Sequence, residues 1–199
     1  MRGAEIGTAV ESARRDDLVQ LGVWMFLGTV LMLFAAFTSA YIVRHGASDW
    51  TPIELPGLLW ANTAVLIAAS LALEGGRMAG SRHKGALARR GVSAAIGLGL
   101  LFLVGQLTVW RELVARGVYL PTSPHSAFVY ILTGLHGLPL LAGLVLLVYF
   151  MTRFWAGPDR LVDPGPARAA LARLMTASAT FWHFLVVLWL YVFVLVTVF

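Results

Sequence analysis

Five stretches of this chain, Leu18–Val43, Leu55–Leu73, Gly91–Trp110, Ser126–Thr152 and Leu174–Phe199, contain no Asp, Glu, Lys or Arg, and their only imidazoles are His136 and His183. A hydrocarbon core about 30 Å thick takes roughly 20 apolar residues of helix at 1.5 Å per residue, so each stretch is long enough to cross a bilayer. Lipid gives backbone polar groups no water to bond, and these runs lack the two-residue alternation of a membrane barrel; the crossings are therefore read as helices. The expected fold is all-α, a bundle of five transmembrane helices forming one integral membrane domain over residues 1–199. Composition points the same way, since 13% of residues are charged against about 25% in soluble proteins.

Residues 1–17 carry both signs of charge and precede an apolar run that exceeds the about 7–15 residues of a signal-peptide core, so the first span is expected to be retained. The chain has no cysteine, which excludes a disulfide or an iron-sulfur cluster held by its own thiolates. No loop approaches the roughly 50 residues of an extramembrane domain.

Lys and Arg are retained on the cytoplasmic side during insertion. Twelve of the fifteen fall in the N-terminal tail, the second loop (Arg77, Arg82, Lys84, Arg89, Arg90) and the fourth loop; Arg44, Arg111 and Arg116 fall on the opposite face. The N-terminus is therefore predicted to be cytoplasmic and the C-terminus outside. Arg82, Lys84, Arg89 and Arg90 are candidate contacts for anionic lipid headgroups. The net charge of +5 is confined to loops between apolar spans, which fits membrane topology rather than the continuous basic footprint of a nucleic-acid binder.

Turn residues bound the spans. Pro52 and Pro56 lead into the second helix, Glu74-Gly75-Gly76 is expected to close it, Pro121 and Pro124 precede the fourth, and Gly157-Pro158 with Pro164-Gly165-Pro166 mark a mobile fourth loop. Small residues at Ala36 and Ala40, at Ala64, Ala68 and Ala72, and at Gly97, Gly99 and Gly105 suit close helix packing. Trp50, Trp60, Trp110 and Trp155 lie near span ends, where indoles suit the membrane interface.

Ionisable groups inside a membrane are costly and mark functional candidates. Counting along the helices, His136 lies about 15 Å into the fourth span and His183 about 14 Å into the fifth from the opposite end, so a shared depth is expected. Facing histidines of this kind are able to ligate a haem iron axially or relay protons. The plainer reading has each ring neutral and hydrogen-bonded to a neighbouring helix or a lipid. Asn62, Thr63 and Gln106 are expected to form interhelical hydrogen bonds, and Glu74 to pair with Arg77 three residues on. No Ser-His-Asp, zinc-type or phosphate-loop pattern is present, so no catalytic or metal residue is assigned.

The local sequences Leu21-Gly-Val-Trp-Met-Phe-Leu-Gly28, Met32-Leu-Phe34, Thr38-Ser-Ala-Tyr-Ile-Val-Arg44, Leu59-Trp-Ala-Asn-Thr63, Gly105-Gln106, Tyr130-Ile-Leu-Thr-Gly-Leu-His-Gly137, Phe181-Trp-His-Phe184 and Trp189 together closely resemble subunit III of the haem-copper (cytochrome c or quinol) oxidases, in its short five-helix bacterial form. The resemblance implies an accessory subunit that binds no haem or copper itself, those lying in partner subunits. It implies packing against subunit I, company with subunit II and other respiratory chains, phospholipid bound between helices, protection against turnover inactivation and support of proton uptake in a bacterial plasma membrane. His136, His183 and Trp182 occupy family positions and, with Gln106 and Asn62, are candidates for lipid or interhelical polar contacts. The family's glutamate in a Ser-Glu motif is replaced here at Thr29-Val30, its acidic residue after Trp-His-Phe by Leu185-Val186, and a second histidine by Pro139, expected to kink the fourth helix. Two other classes remain open: a bis-histidine haem electron carrier and a small permease. Membership of a nitric oxide reductase relative is also open.

Overall fold

The computed structural model describes the backbone of residues 2–155 and 166–198, and side chains over 20–153 and 170–198. Its elements are five helices, α1 (Arg2–His45), α2 (Leu58–Ser81), α3 (Gly85–Ala115), α4 (Pro124–Trp155) and α5 (Pro166–Val198), with no strand among the described residues. All five are long and apolar enough to cross a membrane. The Gly157-Pro158 and Pro164-Gly165 loop signals and the Trp155 side chain lie outside the described residues.

Helices α2 to α5 form a ring: α2 packs on α3, α3 on α4, α4 on α5, and α5 back on α2, while α1 lies against α4 and α5. The ring encloses Leu66, Phe102, Leu132, Leu140, Leu147, Trp182, Leu185 and Trp189, all fully buried. α1 contributes Leu27, Val30, Phe34 and Tyr41 to the core. Val30 and Val186 are both buried.

The spans predicted from charge-free windows are extended at most ends. The tail before Leu18 is helical and continuous with α1, and α2 runs on through Glu74-Gly75-Gly76 to Ser81, contrary to the expected stop. The physical reason is visible in two contacts. Arg77 donates to Glu74 through Nε at 2.8 Å and Nη2 at 2.5 Å, so the two charges neutralise each other on the helix surface. Gly76 faces α3, where the backbone of Gly91 crosses it: a methyl at Gly91 would come within 2.5 Å of Gly76 Cα and 2.8 Å of the Ala72 carbonyl. Close backbone approach thus occurs at Gly76 and Gly91 rather than along the Gly97–Gly105 stripe. There, Gly99 makes room for the Trp182 indole, Gly105 makes room for the Asn62 amide, and Gly97 faces open space.

A three-residue turn joins α2 to α3, with His83 at φ 61°, in the left-handed region usually held by glycine after a helix. Its N–H reaches the Gly80 carbonyl at 3.2 Å, and Lys84 N–H reaches Ala79 at 2.9 Å. At the other end of α3, Gly117 takes φ 76° and lets Val118 N–H bond the Leu113 carbonyl at 2.9 Å, closing the helix. Pro124 opens α4, where its missing N–H loses nothing. Pro139 lies inside α4, which continues unbroken past it.

Candidate functional site

Three groups of polar side chains stand out in the bundle. The first sits in the centre of the ring. Asn62 Nδ2 of α2 donates to Gln106 Oε1 of α3 at 3.4 Å, and Trp189 Nε1 of α5 donates to Thr63 Oγ1 at 3.0 Å. The Thr63 hydroxyl in turn donates to the Leu59 carbonyl of its own helix at 2.9 Å. His136 of α4 stands beside them, edge-on to Phe102 and tilted against Trp189 with ring centroids 6.2 Å and 5.0 Å away. It is fully buried, and neither ring nitrogen has a hydrogen-bond partner among the described residues. Two aromatic rings flank it where a hydrogen bond to a neighbouring helix or a lipid was expected. Trp182 fills the space over Gly99, and its Nε1 has no partner among the described residues.

We expect Trp189→Phe, which keeps the ring packing but deletes the bond to Thr63, to destabilise the chain by about 0.6 kcal/mol. Unfolding in mixed detergent micelles against the parent chain measures this.

A second group joins α2 to α5 near the end of the bundle that carries the α2–α3 turn. His183 Nδ1 lies 2.7 Å from Ser70 Oγ, and Nε2 lies 3.4 Å from Glu74 Oε2. A carboxylate only accepts, so Nε2–H donates to Glu74, and Nδ1 shares the other hydrogen bond with the Ser70 hydroxyl. Ser70, His183, Glu74 and Arg77 then form one hydrogen-bonded chain. The contact between His183 and Glu74 escaped sequence reading, which placed Glu74 at a helix end.

The two span histidines do not pair. His136 lies level with Trp189, which is six residues beyond His183, about 9 Å along α5. An iron ligated by both rings would have to lie between them. His136 is instead enclosed by Phe102 and Trp189, and both nitrogens of His183 turn to α2. Among the described residues, no three His, Cys, Asp or Glu side chains cluster as a metal site.

A third group, at the opposite end, was not anticipated. His125 stacks on Trp50 at 5.1 Å and accepts the Ile53 N–H through Nδ1 at 3.0 Å. Tyr41 meets both rings edge-on, fastening α1, the α1–α2 loop and α4 together. The only advance signal was Trp50 itself. The basic residues Arg82, Lys84, Arg89 and Arg90 are all exposed around the α2–α3 turn.

These contacts define a polytopic helical membrane protein in which polar side chains tie α2 to α3 and to α5. No family model matches the chain. Individual relatives do. It is 32% identical over 186 residues to subunit 3 of the cytochrome bo(3) ubiquinol oxidase of Pseudomonas aeruginosa, covering 88% of this chain and 82% of that protein. It is 28% identical over 199 residues to the probable cytochrome c oxidase subunit 3 of Mycobacterium tuberculosis, covering 98% and 94% of the two chains. Subunit 3 of the cytochrome c oxidase of Synechocystis sp. is 28% identical over 188 residues, with 90% and 75% covered. The chain belongs to the subunit III family of the haem-copper cytochrome c and quinol oxidases.

Proposed function

We propose that the chain is an accessory, non-redox subunit of a respiratory terminal oxidase in a bacterial plasma membrane, where haem and copper are carried by partner subunits. Relatedness along almost the whole chain to oxidase subunits 3 from distant bacteria carries this reading. In it, the bundle packs against the catalytic subunit I, alongside subunit II, seals that flank, orders phospholipid beside it and supports proton uptake during oxygen reduction. The N-terminus and the α2–α3 turn lie on the cytoplasmic side, so that Arg82, Lys84, Arg89 and Arg90 meet anionic headgroups of that leaflet. His136, Trp182, Gln106 and Asn62 hold the ring of helices in register, and His183 fastens α5 to α2.

Purifying the oxidase from cells with and without this chain tests the proposal. The expected result is a complex that keeps its haem absorption spectrum but loses activity sooner during continuous turnover. Loss of haem from the complex, or an unchanged catalytic lifetime, would refute it. The reading as a bis-histidine electron carrier makes the opposite prediction, a low-spin haem band in the isolated chain that vanishes on replacing either His136 or His183. The surroundings of the two rings favour the accessory role.

A further inference from the structure

His125 lies in the first turn of α4, on a helix start fixed by two reciprocal bonds: the Ser123 N–H donates to Ser126 Oγ at 2.9 Å, and the Ser126 N–H donates to Ser123 Oγ at 3.1 Å. It is 4% exposed, stacked on Trp50, and accepts the Ile53 N–H through Nδ1 at 3.0 Å. A ring nitrogen that accepts carries no proton, so the imidazole is neutral with its hydrogen on Nε2. The backbone bonds at Ala47 and Trp50 stay within the turn that follows α1. Among the described residues, the Ile53–His125 bond is the hydrogen bond that carries the 46–57 loop across to α4.

A proton added to Nδ1 would set two donors against each other, and the loop would lose its acceptor. The surroundings offer that charge no anionic partner. α1 presents the Tyr41 ring edge-on and sets His45 against the same Trp50 indole, where two imidazolium charges would repel. In the loop, Asp49 is paired with Arg44 and Glu54 is exposed. α5 brings the Val196 backbone, and α4 brings its own N-terminal amides, whose partial charge is positive. Among the described residues no carboxylate pairs with His125. The Trp50 face attracts a cation, which keeps an imidazolium stacked there but gives Ile53 nothing to bond.

We propose that His125 is a pH-sensitive latch on the 46–57 loop: the neutral ring ties Ile53 to α4, and the protonated ring lets it go. α1 keeps its seat on α4 and α5 in both states, because Leu27, Val30 and Phe34 pack there through apolar contact that a proton does not alter. Release is therefore confined to the loop. In the orientation proposed above, this end of the bundle faces the outside, so the latch answers to the pH on that side. The device depends on the geometry around His125 and not on the accessory role.

Amide hydrogen exchange in the full chain, purified in mild detergent with the proteins that accompany it, tests the latch. Protection is compared at pH 8 and pH 5 after correction for the chemical exchange rate. Pro52 and Pro56 carry no amide hydrogen, so the 51–57 segment reports chiefly Ile53, Glu54 and Leu55. Its protection is expected to fall about tenfold on acidification, the scale of one lost hydrogen bond, while the 92–102 segment of α3 keeps its own. His125→Asn, which offers a side-chain oxygen that does not titrate, is expected to abolish the pH dependence. His45→Asn is expected to leave a fall of several-fold. Unchanged protection of 51–57 in the parent, an equal fall in both segments, persistence of the fall in His125→Asn or its loss in His45→Asn would each overturn the assignment.

Discussion

Replacing Gly91 with valine is expected to stop α2 and α3 from closing on one another. A β-carbon at this position would come within 2.5 Å of Gly76 Cα and 2.7 Å of Gly76 N, and backbone has no rotamer with which to move aside. Inserting extra carbon atoms into a packed core typically costs about 1–3 kcal/mol; here the whole hairpin must shift, so the upper end, about 3 kcal/mol, is the expected loss. Gly97→Val is the matched control, since nothing lies within 4 Å of that position. Detergent-induced unfolding, followed by circular dichroism, compares the two. Equal stability of the Gly91 and Gly97 variants would show that the α2–α3 crossing is looser than described.

The second large effect is expected at Glu74. Glu74→Ala deletes the acceptor of both Arg77 bonds and of the His183 contact, leaving a guanidinium on a membrane helix without its partner. Breaking a fully buried ion pair costs about 3–5 kcal/mol and an exposed one about 0.2–1 kcal/mol; with Arg77 and Glu74 39% and 34% exposed, the expected loss is about 1–2 kcal/mol. Removing both members is predicted to be milder than removing Glu74 alone, because no charge is then stranded. A double-mutant cycle over Glu74 and Arg77, read by unfolding in micelles, checks the sign. A double variant less stable than Glu74→Ala would contradict the pairing described.

Both experiments bear on features that the sequence displayed without their meaning. The five crossings were legible because a membrane imposes one crude requirement, apolar length, which any reader of residues 18–43 or 126–152 is able to count. Helix ends were less so. Glu74, Gly75, Gly76 and Arg77 look like a terminus, since two glycines and two charges normally end an apolar helix. In the folded chain the charges cancel in a pair and Gly76 meets the α3 backbone. The pairing three residues apart was readable in the sequence; the meeting of Gly76 with α3 was not, because it depends on how two helices cross.

The polar contacts were legible in kind more than in detail. Asn62 and Gln106 do bond across helices, as amides in a span are apt to do. The fates of the two histidines depend on helix register, which no short stretch of sequence encodes. His183 met a carboxylate on α2, and His136 met the rings of Phe102 and Trp189. The His125 clamp was missed because it lies at a helix start among loop residues, where a single histidine has no periodic pattern to mark it.

The placement of α1 sets an order of events during synthesis. Of its span only 17% is buried, against 56% for α5, and the surfaces that it packs on belong chiefly to α4 and α5. Chains emerge from the ribosome N-terminus first, so the first helix to enter the membrane must wait for the fourth and fifth to supply its seat. Until then α1 lacks the helices it packs on, while α2 and α3, joined by a three-residue turn, are able to dock at once. Integration runs from the first helix to the fifth; assembly begins at the second and returns to the first only at the end.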